Sequence, residues 1–177
     1  ASTDRLDLLG ISKVLLNCRG NCSPAQSGIY WNLRAFVRER RKLVHIATGV
    51  RNRIHNIVDR IFPGFLNEKK SGIFPFSKGS LALMENRFSV NQIRRRRRST
   101  LAKFLARNLV HHSDHCAEKL QQYTSQVLQP PTDRIATLQI SLKQQVKLFN
   151  CLQESILHLN KEIAEHLAQT PGAVLTS

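Results

Sequence analysis

Residues 132–170 carry an apolar repeat that leaves few choices for the fold. Starting at Ile135, apolar side chains recur at alternating steps of three and four as far as Ile163, and they fill eight of the ten positions. This spacing places one face of a helix against another helix. Pro131 precedes the repeat and Pro171 follows it, so the sequence predicts one long helix between them. The ten positions are Ile135, Leu138, Leu142, Gln145, Phe149, Leu152, Ile156, Leu159, Ile163 and His166.

A second repeat of the same kind begins at Leu33 and ends before Pro63 and Gly64. It predicts another long helix, over about residues 29–62. Between the two long helices, residues 66–80 are expected to form a loop, with a short helix at 80–87 after it. Single helices are expected at 91–108 and 114–128. The repeat positions are Leu33, Phe36, Arg40, Leu43, Ala47, Val50, Ile54, Ile57 and Ile61.

The sequence therefore predicts an all-α fold, because nothing in it alternates with the period of two that strands show. Long helices with coiled-coil seams would flank a small helical middle, with no sheet. Each seam could pack against one of two partners, a helix of the same chain in an antiparallel hairpin or a helix of another protomer. For the last helix we expect pairing with a helix of another protomer, in a homo-dimer or higher oligomer.

The charge balance predicts a polyanionic partner. The chain holds 27 Lys and Arg against 12 Asp and Glu, a formal net charge of +15. Such a field attracts nucleic acid or an anionic membrane. No run of about 18 apolar residues and no aromatic amphipathic anchor is visible, so we expect nucleic acid and no membrane. The four Cys are too few and scattered for a disulfide scaffold, which favours a reducing, cytoplasmic location.

Five consecutive Arg form the densest basic run, in the helix expected at 91–108. Five neighbours on one helix surround it, so some must face solvent, where they can contact phosphates. The alternative is a basic surface that only keeps the chain soluble. Similar contacts are expected from the basic helix at 29–62. The candidate nucleic-acid-binding residues are Arg38, Arg41, Lys42, Arg51, Arg53, Arg94, Arg95, Arg96, Arg97 and Arg98.

Two short stretches offer metal ligands. "HHSDHC" at residues 111–116, with Cys18 and Cys22, could hold a metal, but the ligand spacing fits a polar turn between helices better. Asp4 and Asp7 lie three residues apart, so on a helix both carboxylates could reach one cation. The alternative for this pair is an acidic first helical turn, which the helix dipole favours.

Three motifs carry a resemblance to a known family. "TDRLD" at residues 3–7, "VRNRIHNIVDRIFPGF" at 50–65 and "IAEHLAQTPG" at 163–172 occur in this order. Together they resemble DEDD-type insertion-sequence transposases, the family related to the pilin gene invertase. The resemblance implies that residues 1–20 end an RuvC-like nuclease domain, 21–28 form a linker, 29–170 form the helical coiled-coil region, and 171–177 lead to a C-terminal transposase domain.

The resemblance also implies roles for particular residues. Asp4 and Asp7 match the last two acids of a four-carboxylate site that holds Mg²⁺ for cleavage of a phosphodiester, so they are the expected catalytic and metal-binding residues. The implied function is that of a segment of a DNA transposase or recombinase, located in the prokaryotic cytoplasm with the nucleoid. It would bind DNA and pair protomers, while being inactive alone. Some members use a structured guide RNA, which makes RNA a second expected partner. The alternative function is a non-catalytic helical nucleic-acid-binding or adaptor protein.

Overall fold

A computed structural model of the chain describes residues 28–86, 88–128 and 130–169, and every regular element in these ranges is a helix. The prediction of an all-α fold is confirmed. Asp4, Asp7, Cys18 and Cys22 lie outside the described residues, as do the predicted segments 1–20 and 171–177. The helices are α1 (Ile29–Ile61), α2 (Glu68–Ser71), α3 (Lys78–Glu85), α4 (Val90–Arg95), α5 (Arg98–Arg107), α6 (Ser113–Gln126) and α7 (Thr132–Ala168).

The chain divides into two compact units. The larger unit comprises residues 40–158, and the smaller unit comprises residues 1–39 with 159–177. In the described part of the smaller unit, Leu33 is buried, and the rings of Phe36 and His166 meet edge to face with centroids 5.1 Å apart. No described helix has the length and apolar character needed to cross a membrane.

The larger unit has one apolar core, to which α1 and α7 both contribute their predicted seams. Each fully buried Leu, Ile or Phe side chain stabilises the fold by roughly 1.5–3 kcal/mol. Burial within one chain settles which partner this seam has. The expectation that the α7 seam pairs protomers is wrong for its positions from Ile135 to Ile156, because the seam side chains that are buried there pack inside their own chain. The seam residues in this core include Ala47, Val50, Ile54, Ile61, Ile135, Leu142, Phe149, Leu152 and Ile156.

The buried face departs from the predicted repeat at one position in α7. Val146 is fully buried, whereas the predicted position, Gln145, is half-buried. A straight helix turns every 3.6 residues, so its buried face drifts relative to a strict repeat of 3.5. The same drift buries Val58 in α1 beside the predicted Ile57.

Residues 66–80 are not one loop, as the sequence suggested, since they contain α2 and the start of α3. The Asn67 side chain caps α2 by accepting a hydrogen bond from the Lys69 backbone N–H at 3.0 Å. Gly72 ends this helix in the left-handed conformation, with φ of 75°. Ser77 caps α3 in the same way as Asn67 caps α2, by accepting from the Ser80 N–H. α2, with four residues, is too short for an apolar repeat to reveal it, whereas α3 corresponds to the short helix expected at 80–87 and begins two residues earlier.

The helix expected at 91–108 is also interrupted, because Arg96 and Arg97 have extended backbone with ψ of 140° and 137°. The interruption separates α4 from α5 in the middle of the arginine run. Gln121 of α6 stabilises it, since its side-chain amide donates to the Arg96 carbonyl at 2.6 Å. Ser89 caps the start of α4.

His111 and His112 form a turn of the kind that the sequence favoured, whereas residues 113–116 of the "HHSDHC" stretch are the first residues of α6. His112 has a left-handed backbone, with φ of 51°, and precedes the first residue of the helix. His111 and His115 are exposed, whereas Cys116 is buried and its thiol donates to the Gly72 carbonyl at 3.1 Å. Burial raises the pKa of the Cys116 thiol, an effect that nearby Lys119 partly offsets. Within the described ranges no three potential metal ligands come together.

Candidate nucleic-acid interface

The positive charge of the chain is concentrated in the larger unit. Residues 40–158 contain 21 Lys and Arg and seven Asp and Glu, so fourteen cations would stay unneutralised even if every acid were paired. Like charges repel one another in a compact domain, and a polyanion relieves that repulsion. The net charge of this unit would therefore attract a polyanion.

Within the arginine run, Arg94 is tied into the fold. One of its terminal nitrogens donates to the backbone carbonyl of Thr124, and also to that of Val127 at 3.3 Å. Both carbonyls lie at the C-terminal end of α6, where backbone oxygens lack helical partners and the helix dipole favours a cation. Arg94 therefore joins α4 to the end of α6.

Arg96 and Arg98 are tied in as well. Arg96 donates to the Asn86 carbonyl at 2.9 Å, and its guanidinium lies 5.7 Å from the ring centroid of Phe104. Arg98 forms an ion pair with Glu118 of α6 at 2.8 Å, although both side chains are about half exposed. Exposed pairs of this kind contribute only about 0.2–1 kcal/mol. The three even-numbered arginines thus hold the break between α4 and α5 in place.

Arg95 and Arg97 differ from their neighbours. Both are exposed, and neither guanidinium has a hydrogen bond or ion pair with any described residue. Arg96 and Arg97 have extended backbone, so their side chains point to opposite sides, whereas Arg94 and Arg95 are successive residues of α4 and lie on different faces of that helix. The two odd-numbered arginines are therefore the members of the run that can bind phosphates without breaking a contact of the fold.

The basic candidates of α1 are all exposed. Arg41, Lys42 and Arg53 belong to the larger unit. Arg51 lies over the Phe76 ring, with its guanidinium carbon 4.5 Å from the centroid. Arg38 belongs to the smaller unit.

The candidate set chosen from the sequence missed two residues of α5. Lys103 and Arg107 are exposed and lie four residues apart, so they share one face of the helix. Leu101 and Leu105 of the same helix are fully buried. The period of these two leucines indicates which face of the helix points outward, and Lys103 and Arg107 lie on that face.

The predicted Mg²⁺ ligands Asp4 and Asp7 lie outside the described residues, so their role stays a prediction from the sequence. The candidate interface consequently consists of cations, without a described catalytic group. Comparison with known proteins found no match among family models, curated proteins or solved structures.

Proposed function

We propose that the helical region is a nucleic-acid-binding segment of a DNA transposase or recombinase. The observation that carries the binding part of this proposal is the charge of the larger unit, where cations outnumber acids by fourteen. Duplex DNA carries one phosphate charge about every 1.7 Å along its axis, a density that suits cations spread over several helices. Exposed Arg95, Arg53 and Lys103 offer such cations on three helices, and exposed Arg97 offers another in the break between α4 and α5.

Binding by these residues would depend little on base sequence. Lys and Arg side chains that contact phosphates fix the position of a protein on the duplex without reading the bases. DNA is the expected partner, and structured RNA is the second, because both present a backbone of the same charge.

The experiment that tests binding is a titration of labelled duplex DNA, and of a structured RNA, with the native chain at several salt concentrations. We expect the logarithm of the affinity to fall linearly with the logarithm of salt, by about 0.9 per phosphate contact on duplex DNA. Two duplexes of unrelated sequence should bind with similar affinity. Absence of binding at low salt would overturn the proposal.

The assignment to a transposase rests on the resemblance of residues 3–7, 50–65 and 163–172 to that family. In this proposal Asp4 and Asp7 would supply half of the carboxylates of a Mg²⁺ site whose other half belongs to the complete protein. Hard divalent cations need six or more oxygen ligands, so two carboxylates alone hold Mg²⁺ weakly. We expect no DNA cleavage by this chain in Mg²⁺. Nicking that Asp4→Asn abolishes would contradict the proposal that this chain is inactive alone.

Pairing of protomers is part of the same proposal, but it must use a surface other than the buried α7 seam. Light scattering across a dilution series tests it. A constant monomer mass would remove protomer pairing from the proposal. It would also favour the alternative function, a non-catalytic helical nucleic-acid-binding or adaptor protein.

A further inference from the structure

A cleft rich in lysine lies beside α2 and α6, on residues to which the sequence gave no role. We name it the lysine cleft and define it by Lys69, Lys70, Lys119, Gln122, Tyr123 and Gln126. It has a volume of about 490 Å³, and no Asp or Glu lines it. Glu118, which adjoins Lys119 in the chain, is bound to Arg98 at 2.8 Å. The cleft thus presents three ammonium groups with no lining carboxylate to neutralise them.

Gly72 and Gly64 lie beside the stems of two of these lysines. Gly72 has φ of 75°, and a Cβ at this position would lie 3.0 Å from Cδ and 3.3 Å from Cβ of Lys119. The absence of a side chain at Gly72 therefore lets the stem of Lys119 lie against the backbone. Gly64 has φ of 74°, and a Cβ there would lie 3.4 Å from Cδ of Lys70. Stems held in this way lose less freedom when their ammonium groups bind a ligand.

Tyr123 fixes the wall between the two lysine stems. Its hydroxyl donates to the Pro63 carbonyl at 3.0 Å, and its ring stacks on Phe62 with centroids 5.7 Å apart. A Cβ on Gly64 would clash with the same hydroxyl. The shape of this wall therefore depends on a glycine, a tyrosine and a buried phenylalanine, rather than on mobile surface side chains alone.

We propose that the lysine cleft binds phosphate groups. Three ammonium groups supply the charge, and Gln122 and Gln126, four residues apart on one face of α6, supply amide donors. Lysine serves as a point charge for phosphate, whereas a single carboxylate would neutralise only one of the three ammonium groups. The phosphates come from one of two sources, a nucleic-acid backbone or a free phosphorylated small molecule. The first source rests on the proposed function, and the second does not.

The test compares two triple variants of equal charge. Lys69→Gln with Lys70→Gln and Lys119→Gln removes the cleft cations, and the control is Lys78→Gln with Lys143→Gln and Lys147→Gln, three exposed lysines elsewhere in the larger unit. Far-UV circular dichroism confirms that both variants are folded. The first probe is inorganic pyrophosphate, and the second is a labelled DNA duplex.

With pyrophosphate, we expect the cleft variant to raise the Kd at least about tenfold, or about 1.4 kcal/mol of binding free energy, because the charged hydrogen bonds of three ammonium groups are lost. The control should change it less than about threefold. In an NMR titration of the native chain with pyrophosphate, the backbone amides whose chemical shifts change and saturate should be concentrated at Lys69, Lys70, Gly72, Lys119 and Gln122. Equal losses in both variants, or native shifts that do not saturate, would overturn the proposal whatever the DNA result.

With duplex DNA, the cleft variant should lower the slope of log affinity against log salt by about 0.9 for each lost contact. A lower slope together with weaker pyrophosphate binding assigns the cleft to a nucleic-acid backbone. An unchanged slope with weaker pyrophosphate binding assigns it to a small phosphorylated molecule. If the native chain binds pyrophosphate in the cleft but no DNA at all, the phosphate site stands and the proposed function fails.

Discussion

The apolar seam of α7 and the arginine run both look uniform in the sequence, but in the structure only the seam residues share one environment. Seam residues from Ile135 to Ile156 share one environment, the core of the larger unit. The five arginines have two environments, since Arg94, Arg96 and Arg98 bind groups of the fold and Arg95 and Arg97 do not. An apolar repeat has one favourable solution, which is burial. A charged run has several, and neighbouring elements decide among them.

The largest expected effect concerns the seam. Leu142 is fully buried, so Leu142→Ala should lower the free energy of unfolding by about 2–5 kcal/mol. The matched control is Ile140→Ala, since Ile140 is 67% exposed on the same helix, and its effect should stay within about 0.5 kcal/mol. Urea unfolding measures both. A seam that joined protomers would instead give a Leu142 variant of lower mass by light scattering and a stability that depends on protein concentration.

The next effect separates two adjacent arginines. Arg94→Gln removes the guanidinium that binds the Thr124 and Val127 carbonyls, so it should cost about 1–3 kcal/mol of unfolding free energy. Arg95→Gln removes the same charge from an exposed side chain and should change stability by less than about 0.5 kcal/mol. Chemical denaturation of the two variants checks this difference. Similar losses for both would show that the run is not divided as described.

The smallest stability effect concerns the ion pair between Arg98 and Glu118. Because both side chains are about half exposed, a double-mutant cycle with Arg98→Gln and Glu118→Gln should give a coupling energy of about 0.2–1 kcal/mol. The coupling should shrink as salt is raised towards 1 M, where screening acts within about 3 Å. A coupling that did not depend on salt would indicate a pair more buried than the structure places it.

The sequence predicted best where burial sets the pattern. The period through Val50, Ile54 and Ile61 placed α1 and its buried face correctly, because these side chains recur at the spacing of one helix face. The apolar period could not show that Arg96 and Arg97 leave the helix. The hydrogen bond that stabilises this break comes from Gln121, which lies 25 residues beyond Arg96. Short helices such as α2 were missed, although Asn67 and Gly72 are recognisable capping residues.

For the candidate interface, the sequence supplied the residue types but not their roles. Composition predicted a polyanionic partner. The structure shows which arginines bind groups of the fold, at Thr124, Asn86 and Glu118. The lysine cleft could not be found in this way, because Lys69 and Lys119 are far apart in the chain. They meet only because α2 packs against α6.

The central claim is that Arg95 and Arg97 are free to bind phosphates while their neighbours hold the fold. The most direct measurement is the salt dependence of duplex DNA binding by Arg95→Gln with Arg97→Gln, beside Lys143→Gln with Lys147→Gln as a variant of equal charge. We predict that the arginine variant lowers the slope of log affinity against log salt by about 1.8, at about 0.9 per contact, and keeps the native midpoint of thermal unfolding. The lysine variant should keep the native slope. Equal slopes for the native chain and the arginine variant would contradict the account.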